Sequence, residues 1–209
     1  KEYTMDVVLK REYSIGGSAN VEAGVGTDSR YKLKGFGLRF SDRTRAVIFG
    51  GKNNINETME YNGNNSSYND EQQQSGDRHF RQVGGQFVYQ APENKLINST
   101  EVNATWQDDF TETRQQSETY MSGISTFGQS ESMVKSKPTH LTLNNMTQIR
   151  WGEKYRLYSN LHLNYLQQRN ESEGWNLTTA DAMMQDSINS SWYRSINRFD
   201  RLQGNGELN

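Results

Sequence analysis

The sequence predicts an all-β protein: an antiparallel, up-and-down transmembrane β-barrel, present as a fragment of about eight strands with long extracellular loops. Three observations predict it. Apolar and polar residues alternate with a period of two, which gives a strand two unlike faces. The alternating run from Tyr155 to Gln168, "YRLYSNLHLNYLQQ", is much longer than an ordinary soluble strand of about five or six residues. The chain is also poor in apolar residues: AVILMFWYC make up 32% of its 209 residues, and the mean hydropathy is −0.98. Even with its 18 Gly added, it stays below the roughly 45–50% of a soluble domain. A chain this rich in Asn, Gln and Ser is a candidate for disorder. The clean alternation, with 11 Tyr, 8 Phe and 4 Trp, favours a fold that needs only one apolar face per strand.

The elements follow in order. Ile15, Gly17, Ala19, Val21, Ala23 and Val25 form one face of a first strand. Gly16, Ser18, Asn20, Glu22, Gly24 and Gly26 form the other, and "TDSR" is a turn. In "YKLKGFGLRF", Phe36, Leu38 and Phe40 share a face while Tyr31 and Leu33 are out of phase with them, which predicts a bulge near Gly35. "SDRT" is a second turn and "RAVIFGG" a third strand. A polar loop of about 27 residues follows, too long for an ordinary compact connection. "QVGGQFVYQ" then sets Val83, Gly85, Phe87 and Tyr89 on one face, and "APEN" turns the chain. Leu96, Val102, Ala104 and Trp106 share the next register. A second polar stretch, read as a loop, covers 108–137. Leu141, Leu143, Thr147, Ile149 and Trp151 are in phase, and "GEK" turns into the strand from Tyr155. A third polar stretch covers 169–197. Within it "TTADAMMQDS" has the form of a short helix with Thr179 as its cap. "LQGNGELN" alternates again, with Leu202, Gly204, Gly206 and Leu208 opposite Gln203, Asn205, Glu207 and Asn209.

After the first two turns the connections alternate short and long, as in outer-membrane barrels with tight periplasmic turns and long outer loops. Eleven residues at about 3.3 Å each reach roughly 36 Å, or about 25 Å of height once tilted, which matches a bilayer span. The apolar face then meets lipid and the polar face a wet lumen. Trp106 and Trp151 sit at strand ends, where aromatic girdles belong. The competing fold is a soluble or surface-anchored β-sandwich with one solvated face, which would bind glycans or adhere through its loops.

The chemistry is sparse. A net charge of −2 without a basic stripe argues against nucleic acid. The absence of Cys leaves no disulfide or thiolate site, and no apolar run of about 18 residues offers a transmembrane helix. His79 stands at a loop end, and His140 and His162 on polar strand faces, without metal-ligand spacing. Asp108 with Asp109 and the run "NNSSYNDE" group oxygens but follow no calcium-loop pattern. Several Asn-x-Ser/Thr triplets fall inside strands, so composition explains them better than glycosylation does. No nucleophile–base pair is present, which predicts no enzymatic activity and no cofactor. The residues best placed to stack on a sugar or peptide are the loop aromatics Tyr61, Tyr68, Trp175 and Trp192, with Tyr120 and Phe127 as further candidates.

The run "VVLKREYSIGGSANVEAGVGTDSRYKLKGFGLRFSDRTRAVIFGGKNNINET" resembles the start of the barrel in TonB-dependent-receptor-like outer membrane proteins, in the branch with a carboxypeptidase-regulatory-like N-terminal domain. The resemblance rests on Leu9 to Tyr13, Gly26 to Tyr31, Arg39 to Phe40, Thr44 to Arg45 and Asn53 to Asn56. It covers about a quarter of the chain; beyond it only the rhythm agrees. It implies a barrel of about 22 strands, a plug domain and energised uptake of a nutrient (a glycan, peptide or metal chelate) in the Gram-negative cell outer membrane. The implied partners are the bilayer, the plug, the remaining strands, an energy-coupling protein and a surface lipoprotein. Residues 1–14 are then the end of the plug or its linker, and 15–209 the first barrel strands. The chain begins without Met and stops in mid-alternation, so the expectation is a fragment.

Overall fold

The computed structural model describes residues 15–57, 76–121, 124–152, 154–181, 183 and 185–209. The expected plug or linker segment, residues 1–14, lies outside them. Eight strands form: β1 (Gly16–Val25), β2 (Tyr31–Phe40), β3 (Thr44–Asn53), β4 (Asp77–Gln90), β5 (Leu96–Met121), β6 (Ile124–Trp151), β7 (Tyr155–Thr179) and β8 (Ser187–Leu208). They lie in one antiparallel sheet in sequence order. This is the expected up-and-down meander, but the sheet is open: β1 and β8 are its two edges.

The registers unite the separate alternations read from the sequence. Val21 stands opposite Gly35, Gly35 opposite Gly50, and Gly50 opposite Val83. The line continues through Ala104, Leu141 and Tyr165 to Leu202. Directly opposed residues share a face, so the apolar sets of β1 and β4–β8 all point to one side, called here the Val21 face. The other is the Glu22 face.

β2 departs from the expectation. Its pairing with both neighbours runs without a shift, so no bulge occurs at Gly35. Tyr31 and Leu33 join the Val21 face, while Phe36, Leu38 and Phe40 point to the Glu22 face. The reason is a second apolar cluster there. Phe36 opposes Phe49 and Leu38 opposes Val47, and Val47, Phe49 and Phe80 are buried. β2 therefore carries its apolar residues on the Val21 face at its start and on the Glu22 face at its end, and no slip is needed to satisfy it.

The turns "SDRT", "APEN" and "GEK" lie together at one end of the sheet. Ser41 N–H donates to the Thr44 carbonyl at 2.7 Å, and the Ser41 hydroxyl accepts from Thr44 N–H at 3.1 Å. Pro92–Asn94 forms one 3₁₀ turn. There a hydrogen bond from Lys95 holds the Glu93 carboxyl below its ordinary value.

The other end differs from the expectation of loops. β5 and β6 continue through the polar stretch 108–137 as one hairpin, and β7 and β8 fill most of 169–197. The 28 residues of β6 reach roughly 90 Å at about 3.3 Å each. The helix expected over "TTADAMMQDS" does not form: Thr178 and Thr179 end β7, and Ser187 begins β8. Between them the Asp181 carboxylate accepts from Gln185 N–H at 3.0 Å and Asp186 N–H at 3.2 Å. Thr179, expected as the helix cap, is buried and donates to the Asp181 carbonyl at 2.9 Å. The long connection after β3 falls mainly on residues 58–75, outside the described set.

Candidate functional site: a two-faced wall

The Val21 face is apolar and uncovered near the short turns. Val21 is 73% exposed, Ile48 64%, Phe87 48% and Leu202 73%. On β3–β8 the band stops at one row of opposed residues: Lys52, Arg81, Trp106, Thr139, Gln167 and Asp200. From Leu96 to Trp106, eleven residues at about 3.3 Å and roughly 45° of tilt make a band about 25 Å tall. Trp106 thus marks the band's limit inside β5 rather than a strand end. Trp151, opposite Tyr155, marks the other limit.

Beyond the row the same face carries many charges, most of them paired with one another. Asp108 is bridged by Arg81 and Lys137, each at 3.3 Å. Arg114 meets Glu131 at 3.4 Å, and Arg169 meets Glu171 at 2.6 Å. Asp109, one residue from Asp108, points to the opposite face and pairs with Arg78 at 2.8 Å. The two aspartates therefore cannot share a cation, and among the described residues no cluster fit to hold a metal forms. The run "NNSSYNDE" lies outside the described residues.

One polar patch interrupts the apolar band, and it is closed on itself. Asn98 Nδ2 donates to Thr147 Oγ1 at 2.8 Å, and Thr147 Oγ1 donates to Asn145 Oδ1 at 3.0 Å. Asn145 Nδ2 donates to Thr100 Oγ1 at 2.8 Å, and Thr100 Oγ1 donates to Asn98 Oδ1 at 3.1 Å. The ring comes from two Asn-x-Thr triplets, whose first and third residues share a face of a strand. That is what these sequons do here.

On the Glu22 face, aromatic rings lie over opposed glycines. A Cβ on Gly16 would come within 2.5 Å of the Phe40 ring, and one on Gly84 within 2.4 Å of the Phe49 ring. At both glycines the space a side chain would take is filled by the neighbouring ring. Lys34 is buried and pairs with Glu57, which also meets Lys32 at 3.0 Å. Towards β8 a concavity of about 330 Å³ is lined by Glu101, Asn144, Asn160, His162 and Glu207, among others. His162 bonds Asn144, and His140 Nε2 meets Asn164 Oδ1 at 2.6 Å. Both histidines stand on the polar face, as expected. His79 lies within β4 rather than at a loop end, 3.2 Å from the Tyr31 hydroxyl.

The expected ligand aromatics fall elsewhere than in loops. Tyr61 and Tyr68 lie outside the described residues. Trp175 and Trp192 are strand residues, directly opposed on the Val21 face beyond the apolar band. Trp175 Nε1 donates to Glu131 Oε2 at 3.3 Å. Phe127 and Tyr120 share that face, and a hydrogen bond to Glu118 pushes the Tyr120 phenol up. The sequence does not show them as a set, because only the register brings them to one side. Comparison with family models, with curated proteins and with solved structures finds no match.

Proposed function

We propose that this chain forms part of the wall of an outer-membrane barrel of the TonB-dependent type, and that the barrel admits a nutrient. One observation carries the reading: an exposed apolar band runs across the eight strands, and on β3–β8 it ends at a single row. Monomeric soluble proteins rarely expose apolar patches beyond a few hundred Å², and the band's height of about 25 Å suits the hydrocarbon layer of an outer membrane. A sandwich would need a second sheet over this band; among the described residues all strands belong to one sheet. The Val21 face then meets lipid and the Glu22 face lines the lumen. β1 and β8 are left to pair with the remaining barrel strands. The plug, the energy-coupling protein and the surface lipoprotein enter through the sequence resemblance.

The test is membrane fractionation of the cells that make the protein. Recovery in the outer membrane, with gel mobility that changes on heating in detergent, is the expected result. Recovery as a soluble monomer without detergent would sink the reading.

A further inference from the structure

We propose that the Glu22 face of β5–β8 beyond the apolar band binds an uncharged, hydroxyl-rich chain: an oligosaccharide without carboxylate or sulfate groups. This rests on the transport reading above and names the class of solute that the barrel takes.

The distribution of charge carries it. Residues 107–120, 125–138, 167–178 and 189–200 divide equally between the two faces, twenty-six to each. The Val21 side of these segments holds thirteen charged residues, and the Glu22 side holds one, Asp109, which Arg78 neutralises. Contact with water does not demand this neutrality. Nearer the short turns the same face carries Glu101, Arg201 and Glu207. A fixed charge must be desolvated before an uncharged ligand can touch the wall, and that step opposes binding. A charged ligand, in turn, finds no counter-charge here.

Hydroxyls and carboxamides stand where charges are missing. Asn170 lies between Ser136 and Asn197, and Asn176 between Ser130 and Ser191. Each of these groups both donates and accepts hydrogen bonds, as sugar hydroxyls do. Flat apolar plates accompany them. The Tyr193 ring lies across Gly174, where a Cβ would come within 2.8 Å of its hydroxyl oxygen, and that hydroxyl donates to Ser132 Oγ at 3.2 Å. One side of the ring is thus seated on backbone while the residue stays exposed. Phe199, also exposed, lies on the same face six residues on. Aromatic plates beside a field of amides and hydroxyls suit the C–H faces and the polar edges of a sugar chain.

The experiment is titration calorimetry of the detergent-solubilised protein. The probes are uncharged oligosaccharides of glucose, mannose, galactose and xylose; oligogalacturonate and a sulfated oligosaccharide; and an end-capped neutral peptide. At least one uncharged oligosaccharide should bind, with the charged chains weaker. Asn170→Asp with Asn197→Asp, and separately Tyr193→Ser, should each weaken that binding by about tenfold. Lys135→Gln, on the opposite face, should leave it unchanged. Heat-modifiable mobility of each variant confirms its fold. Failure of every neutral oligosaccharide to bind would overturn the proposal, as would equal affinity for oligogalacturonate or capture of the peptide alone. If the same preparation comes from the outer membrane, such a failure leaves the transport reading intact; if it is soluble, both readings fall together.

Discussion

Thr147→Val removes one hydroxyl from the closed ring of Asn98, Thr100, Asn145 and Thr147 and keeps the side chain's shape. Two hydrogen bonds go with it: the one from Asn98 Nδ2 at 2.8 Å and the one to Asn145 Oδ1 at 3.0 Å. If the Val21 face meets lipid, an amide N–H and a carbonyl oxygen lose their partners where no water can replace them. An unsatisfied polar group out of water costs about 1–3 kcal/mol, whereas side-chain hydrogen bonds within membranes average about 0.6 kcal/mol. Two groups at the lower end of the first range give a loss of about 2 kcal/mol. Replacing all four residues with apolar ones of similar shape leaves nothing unsatisfied and should be nearly neutral or stabilising. The assay is urea unfolding of the protein refolded into bilayers, followed by tryptophan fluorescence. The single variant should be less stable than the quadruple one. If Thr147→Val costs less than about 0.5 kcal/mol, as an ordinary surface substitution does, the ring is bathed in water and the lipid assignment is wrong.

Further substitutions test the same account in the same unfolding assay. Leu163→Arg, in the middle of the apolar band, should cost about 3 kcal/mol, while Leu177→Arg, on the same face beyond the band, should cost about 0–1 kcal/mol. Equal costs would remove the depth dependence on which the band rests. Gly84→Ala places a methyl within 2.4 Å of the Phe49 ring and should destabilise by about 2 kcal/mol. Gly35→Ala meets nothing within 4 Å and should be neutral or stabilising by about 0.5 kcal/mol; similar effects at the two sites would mean that the ring does not occupy the glycine's place. Ser29 holds φ at 59° in the turn between β1 and β2, so Ser29→Gly should stabilise by about 1 kcal/mol, and a loss would contradict that turn.

Much of the sheet was legible in the sequence because one face of each strand is marked by apolar residues. The sets at Val21, Val83, Leu141, Leu163 and Leu202 are each marked locally, and register alone unites them. Where the mark changes, reading fails. Beyond Trp106 the period of two persists, but charge carries it: Glu112, Arg114 and Glu118 alternate with Thr111, Thr113, Gln115, Ser117 and Thr119. Apolar alternation alone does not carry that signal, so these strands have the composition of loops. Phe36, Leu38 and Phe40 give the opposite difficulty, because the apolar residues of β2 change face along the strand and so mark no single phase. The Asn–Thr ring was half visible as sequons. Its other half depends on the alignment of β5 with β6, which no local pattern reveals. The pairing of Trp175 with Trp192, and their place on the Val21 face, likewise required the β7–β8 register.

The most direct measurement uses the absence of native cysteine. Single cysteines placed along β7 from Leu157 to Leu177 carry a spin label, and each label's collision rates with molecular oxygen and with a water-soluble nickel chelate are compared in bilayers. Labels at 157, 159, 161, 163 and 165 should favour oxygen, with a switch to the nickel complex from Gln167 onward. Labels at even positions should favour the nickel complex throughout. Odd positions below Gln167 that are shielded from both reagents, or open to the nickel complex, would contradict the claim that this face meets lipid.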